Sequence, residues 1–317
     1  MKKIAWFLLV CILYSFKTNA QSRLCECAHT LSPLLAEDFE SFFPPSVIKA
    51  KKVTQVKVFI SSSQKNTKIK NDTAYQLIDS HYIAEALAFN KDGYAVTGGT
   101  FYSGIPGYHY TFKRDGSNRI IQFISEFFDS TGKISSYSKP QITDYTLDGN
   151  GNIVKTKKSD YDGKMLPDEK SDYTITEYDK QGWKLKETQH SYYDWLKPPH
   201  KFHTTYFTYK NNGNTEIAKS YIDKKPVATT TTNYDDQGKP LTIILFNQAM
   251  SKPAYKRVFQ YDSSGRLIKY IQTTGGGSEC LDQGNFSNEF KYNNEGLLIE
   301  QRHKYANTVC VLQFEYK

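Results

Sequence analysis

The chain has 317 residues, 38% hydrophobic, 15% aromatic and 23% charged, with a formal net charge of +8. Lysines and acids are interspersed, which describes a solvated surface and not a stripe that tracks phosphates, so nucleic acid is not an expected partner. Beyond the N-terminus, no stretch approaches the ~20 apolar residues of a membrane-spanning helix.

In chain order, Lys2 and Lys3 precede an apolar run from Ile4 to Tyr14 and a small-residue end at Thr18-Asn19-Ala20. That is the pattern of a secretory signal peptide over residues 1–20. Its removal takes Lys2, Lys3 and Lys17 and lowers the charge from +8 to +5. Cys11 follows Val10 and Cys25 follows Leu24, where lipid attachment wants a small residue. The expectation is therefore an exported protein, cleaved and released to the periplasm, the cell surface or the medium.

Residues 21–50 read as a lead-in. Ser32-Pro33-Leu34-Leu35 with Glu37 predicts a short capped helix, stopped by Pro44-Pro45, whose Leu34, Leu35, Phe39 and Phe42 cover a sheet end. Residues 51–317 read as one β domain. Lys52 to Ile60 alternates as a strand, Ser61 to Asp72 reads as a polar loop, and Tyr75 to Phe89 as strand despite the helical propensity of Ile83 to Phe89.

From about Ala88 onward a pattern recurs. An aromatic or large apolar residue stands four before a glycine nine times: Phe89, Phe112, Phe128, Leu147, Tyr178, Tyr209, Tyr234, Tyr261 and Tyr292 precede Gly93, Gly116, Gly132, Gly151, Gly182, Gly213, Gly238, Gly265 and Gly296. Asp or Asn often comes next, as at Asp129, Asp148, Asp179, Asp235, Asp262 and Asn293. Its side-chain oxygen can take the backbone N–H two residues on, and glycine then supplies the left-handed position. This predicts type I turns closed by a G1 glycine. Flanking pairs such as Tyr110 and Phe112, Phe207 and Tyr209, or Phe259 and Tyr261 share a strand face. Two copies, Phe112-Lys113 and Tyr209-Lys210, lack the acid.

"YDSSGRLI", with the looser "YDKQGWKL", "YDDQGKPL" and "YNNEGLLI", resembles the YD repeat of Rhs-type bacterial surface and toxin-shell proteins. The resemblance implies an exported all-β fold: an antiparallel meander of hairpins forming a curled or spiralling sheet. Together with the lead-in, this gives roughly 16 to 20 strands under a short N-terminal helical cap. The protease motif and C-terminal payload of the large toxin shells are not found in this sequence.

Four cysteines follow the signal segment: Cys25, Cys27, Cys280 and Cys310. An even count in an exported chain points to disulfides. Cys25 and Cys27 are too close to pair with each other, so they are expected to reach Cys280 and Cys310. Cys280 to Cys310 across neighbouring strands is the alternative. A cysteine-based zinc site is disfavoured by the Cys-x-Cys spacing.

The irregular stretch from His190 to His203 departs from the repeat grid and reads as an inserted loop. Its Tyr192, Tyr193, Trp195, His200 and His203 are the candidate binding residues, since long loops in repeat arrays carry recognition. His200 and His203 alone are a weak metal pattern, and no cofactor or metal is expected. No nucleophile elbow, His-Glu-x-x-His motif or P-loop occurs. The turn carboxylates are explained by turns, so the chain is not read as an enzyme. The repeat tyrosines serve either as cross-strand ladders or as stacking surfaces for sugars. The expected function is a monomeric, non-catalytic protein presenting an aromatic-rich surface to a glycan or surface protein. The alternatives are a structural component whose sheet edges assemble, or a hydrolase using loop carboxylates.

Overall fold

The computed structural model describes residues 42–65, 75–77, 82–102, 105–128, 133, 135, 139–159, 167–168, 171–192, 200–248, 252–274, 285–305 and 308–317. The expected signal segment and Ser32 helix, and Cys25, Cys27 and Cys280, lie outside them. Among the described residues, one α-helix, α1 (Pro45–Ala50), precedes nineteen strands. These are β1 (Gln55–Lys65), β2 (Tyr75–Leu77), β3 (Tyr82–Phe89), β4 (Ala95–Tyr102), β5 (Ile105–Arg114), β6 (Ile120–Phe127) and β7 (Gln141–Leu147). Then come β8 (Ile153–Lys158), β9 (Tyr173–Tyr178), β10 (Lys184–Tyr192), β11 (His200–Lys210), β12 (Thr215–Ile222) and β13 (Lys225–Tyr234). The last are β14 (Pro240–Asn247), β15 (Tyr255–Tyr261), β16 (Leu267–Thr274), β17 (Phe286–Tyr292), β18 (Leu298–Tyr305) and β19 (Thr308–Tyr316).

From β3 to β19 each strand pairs antiparallel with the next. Strand β1 then pairs with β19 on one side and β3 on the other. Leaving out β2, which pairs only with the far end of β1, eighteen of the nineteen strands form a closed ring. The all-β meander is as expected, but the sheet is a closed barrel and not a curled or spiralling one. Closure satisfies both edges at once, and an open sheet of this many strands would leave two. At the seam, the Thr54 and Gln55 N–H groups donate to the Lys317 carbonyl (2.6 and 3.2 Å), and Lys317 N–H returns to the Gln55 carbonyl (2.9 Å). The expected polar loop is partly strand, because residues 61–64 extend β1 along β19.

Seven turns share one geometry. Asn90, Asp115, Asp148, Asp179, Asp235, Asp262 and Asn293 each accept the N–H groups two and four residues on, at 2.8–3.0 Å. A register shift beside each marks the predicted bulge. The two copies lacking the acid deviate. In the first, the turn is set by Asp115, and Asn118 (φ 63°) takes the left-handed position in place of Gly116. In the second, Asn211, Asn212 and Gly213 are all left-handed. The copy at Gly132 lies outside the described residues.

The repeat aromatics tie each hairpin to the one before. Tyr178, Tyr261, Tyr292 and Tyr316 donate their hydroxyls to the carbonyls of Ile153, Pro240, Leu267 and Leu298, at 3.2, 2.9, 3.0 and 2.6 Å. Each acceptor lies two residues past the preceding copy's glycine. The residue directly after that glycine covers the next aromatic: Trp183 on Tyr209, Lys239 over Tyr261, Arg266 over Tyr292. Burial raises the Tyr292 and Tyr316 pKa values above the ordinary tyrosine range. Tyr292→Phe should therefore cost about 1 kcal/mol, the usual net worth of one hydrogen bond. A lowered urea midpoint at unchanged slope would show it.

The two sheet faces are unequally covered. Val56, Val58, Leu87, Phe290, Leu312 and Phe314 share a buried row, while the alternating Lys291, Gln313 and Glu315 are exposed. The buried row faces the interior. At the seam it meets Phe43, which packs between Phe89 and Phe314 (6.4 and 6.0 Å), and Phe42, which packs on Phe290 (5.2 Å). Helix α1 buries Ile48 there. Pro44-Pro45 starts this helix: Pro45 occupies the first position, where a missing N–H costs nothing.

Of the four cysteines expected to form disulfides, only Cys310 lies among the described residues; it sits on the inner row opposite His303 and is 2% exposed within the seam core.

Candidate functional site: an outer aromatic patch

The outer wall carries charges at mid-strand. Glu289 pairs with Lys269 and Lys304 (3.1 and 2.8 Å), and Glu300 with Lys291 and Arg302 (2.8 and 2.7 Å). A lipid-facing barrel wall is an unbroken apolar band ~25 Å tall, and these rows are not one. Among the described residues, no helix is long and apolar enough to cross a membrane. The outer rows of β16–β18 therefore face water, and the large apolar groups exposed elsewhere on the wall stand out against them.

They gather on β9–β12. The stretch from His190 to His203, expected as a loop, is a hairpin: β10 runs on to Tyr192 and β11 begins at His200, directly opposite it. Its alternation turns one row outward. Tyr173, His190 and Phe202 stand in register across β9, β10 and β11. One row over, Tyr206 on β11 lies beside Tyr221 on β12, with ring centroids 5.8 Å apart. Phe202 is 46% exposed and Tyr206 49%. Lys186 rims the patch, paired with Glu177 at 3.0 Å, and that carboxylate raises the Lys186 pKa.

His190 supports this surface from below. Its ring stacks on Tyr173 at 4.6 Å, meets Phe202 edge-on at 5.0 Å, and its Nδ1 lies 3.0 Å from the Ser171 carbonyl oxygen. At 3% exposure it is a packed spacer and not an open ligand. Of the candidate residues, Tyr192 and His200 form the last pair of β10 and β11, while Tyr193 and Trp195 lie outside the described residues. His203 is separated from the patch, because it sits on the inner row opposite Gln189 and Ile222. No group of three metal-ligating side chains occurs among the described residues.

Sequence reading missed Phe202, Tyr206, Tyr173 and Tyr221. The signal was present in β11, where Phe202 and Tyr206 have one parity and Phe207 and Tyr209 the other. A strand with aromatics on both parities presents rings on both faces.

No protein-family model matches the chain, and no curated protein is similar to it. Among solved structures it is similar to a porin-like protein from Bacteroides uniformis, at 10% identity and a TM-score of 0.39, covering 84% of this chain and 96% of that one. A porin-like protein from Bacteroides vulgatus is similar at 8% identity and a TM-score of 0.30, covering 84% and 98%. The TcdB2-TccC3 structure without its hypervariable C-terminal region is similar at 14% identity and a TM-score of 0.29, covering 79% of this chain and 14% of that one.

Proposed function

We propose that the protein is an exported, non-catalytic barrel that binds a glycan through the outer patch on β9–β12, together with Tyr192, Tyr193 and Trp195 of the adjoining hairpin. The observation that carries this reading is the half-exposure of Phe202 and Tyr206, the most exposed of the large apolar side chains among the described residues. A sugar ring presents an apolar C–H face to an aromatic plane and hydroxyls around its rim. The patch matches both needs, with flat rings at its centre and Lys186, Glu177 and Lys219 beside them. A water-exposed apolar cluster costs solubility, and a binding role explains its retention.

The competing assembly reading needs free strand edges, and the β1 pairings with β19 and β3 close them. Titrating the purified chain with a panel of soluble polysaccharides should give a saturable fluorescence change without released sugars. Tyr206→Ala should weaken it roughly tenfold, since a central interface aromatic is commonly worth more than 1 kcal/mol. Sugar release by the wild-type chain would overturn the non-catalytic reading, and silence towards every polymer would overturn glycan recognition.

A further inference from the structure

A second set of rings lies inside the barrel, on β5 and β6. Tyr108 and Tyr110 are parallel within 2°, 6.4 Å apart. Phe127 meets Tyr108 edge-on at 5.3 Å, and Phe123 lies 5.4 Å from both Tyr110 and Phe112. Strand register places all five on the inner row, continuous with Thr100 and Thr143. From Tyr108 to Phe112 the lane runs four residues, about 14 Å at the strand rise of ~3.4 Å. It does not seal itself as the seam core does: Tyr108 is 38% exposed and Phe127 36%. Opposite Tyr110 stands Gly98, which adds no side chain to fill the space.

The surroundings decide what would lie there. Among the described residues, the inner rows of β4–β7 carry one charged side chain, Arg114 at the end of the lane, whose guanidinium donates to the Ala95 and Asn118 carbonyls (3.0 and 2.6 Å), while the outer rows of β5–β7 carry Lys113, Glu126 and Asp144. Polar groups along the lane are the hydroxyls of Thr100, Ser125, Thr143 and its tyrosines, and the Gln141 amide opposite Ser125. Among the described residues, the inner rows of β4–β7 carry no carboxylate to grip sugar hydroxyls, and their one guanidinium, Arg114, is engaged by backbone carbonyls. The closed wall leaves the mouths of the barrel as the way in. We propose that this lane binds an uncharged apolar chain, the acyl tail of a lipid or fatty acid.

The test is a titration of the full chain with 11-dansylaminoundecanoic acid, with unlabelled palmitate as competitor. A saturable, blue-shifted emission displaced by palmitate is expected. Phe123→Ser should weaken it tenfold or more. Ser125→Glu leaves every ring in place but sets a charge between Phe123 and Phe127, and it should abolish uptake at an unchanged urea midpoint. Tyr206→Ala, on the outer wall, should bind the probe as the wild type does. Absence of saturable emission would overturn the proposal, as would uptake indifferent to Ser125→Glu. Loss in Tyr206→Ala would place the probe on the outer patch and overturn it too. The glycan titration reads a different surface, so either reading can fail while the other stands.

Discussion

Gly93→Ala is expected to destabilise the barrel by roughly 3 kcal/mol, whereas Gly238→Ala should cost only about 1–2 kcal/mol. Both glycines hold the same turn position in the left-handed region, at φ 84° and 77°. An L-residue there costs ~1–2 kcal/mol at either site. They differ in what a methyl group would meet. At Gly238 nothing lies within 4 Å, but at Gly93 the Pro45 carbonyl oxygen would be 2.1 Å away, with Pro45 C and Lys49 N at 2.9 and 3.0 Å. All three are backbone atoms of α1, so the whole helix must lift. Overpacking of that kind adds ~1–3 kcal/mol, and lifting α1 also draws Phe43 from between Phe89 and Phe314. Urea unfolding of the two variants separates the shared strain from the helix contact. Equal losses would show that α1 does not depend on its seat at the first turn.

The hairpins were legible because each turn is written locally. Asp148, Asp179, Asp235, Asp262 and Asn293 bond within four residues of themselves, and so does Asn90. Where glycine was taken as the marker without the acid, the reading slipped by two residues, because at Asp115 the carboxylate sets the turn and Asn118 supplies the left-handed residue. The tyrosine hydroxyls were not legible, since Tyr292 finds the Leu267 carbonyl 25 residues back only once neighbouring hairpins are in register. Closure was not legible either. Whether β1 meets β19 depends on twist and stagger accumulated over eighteen strands, which no single residue records. The outer patch was half legible: its position at the His190–His203 stretch came from composition, but its exposed rings followed from strand parity in a segment taken for a loop.

Stability should fall as pH is lowered from 6.5 towards 4, by about 3 kcal/mol in total, because of His303. Its ring is 6% exposed on the inner row, with Phe286 at 5.2 Å, Asn288 Oδ1 3.3 Å from Nδ1, and Cys310 opposite on β19. Burial disfavours the imidazolium and lowers the pKa to about 4. An unfolded chain takes its proton near 6.5 and the native chain near 4, so the unfolded state binds more protons throughout that window. The stabilisation is complete above pH 6.5, is lost progressively on acidification, and levels off below 4. Carboxylates with lowered pKa act elsewhere: Asp115, held down by the Arg119 N–H and guanidinium, and Asp168, held down by Lys155 and Lys157, lose their contribution only below their ordinary 3.8. The stretch above pH 5 therefore isolates the histidine from them. Urea unfolding at pH 7, 6 and 5 should show a declining free energy in the wild type and a flatter profile in His303→Gln, whose amide still reaches towards Asn288. A wild-type profile flat over that interval would mean that the ring is solvated, and that the seam core is open to water where β17, β18 and β19 meet.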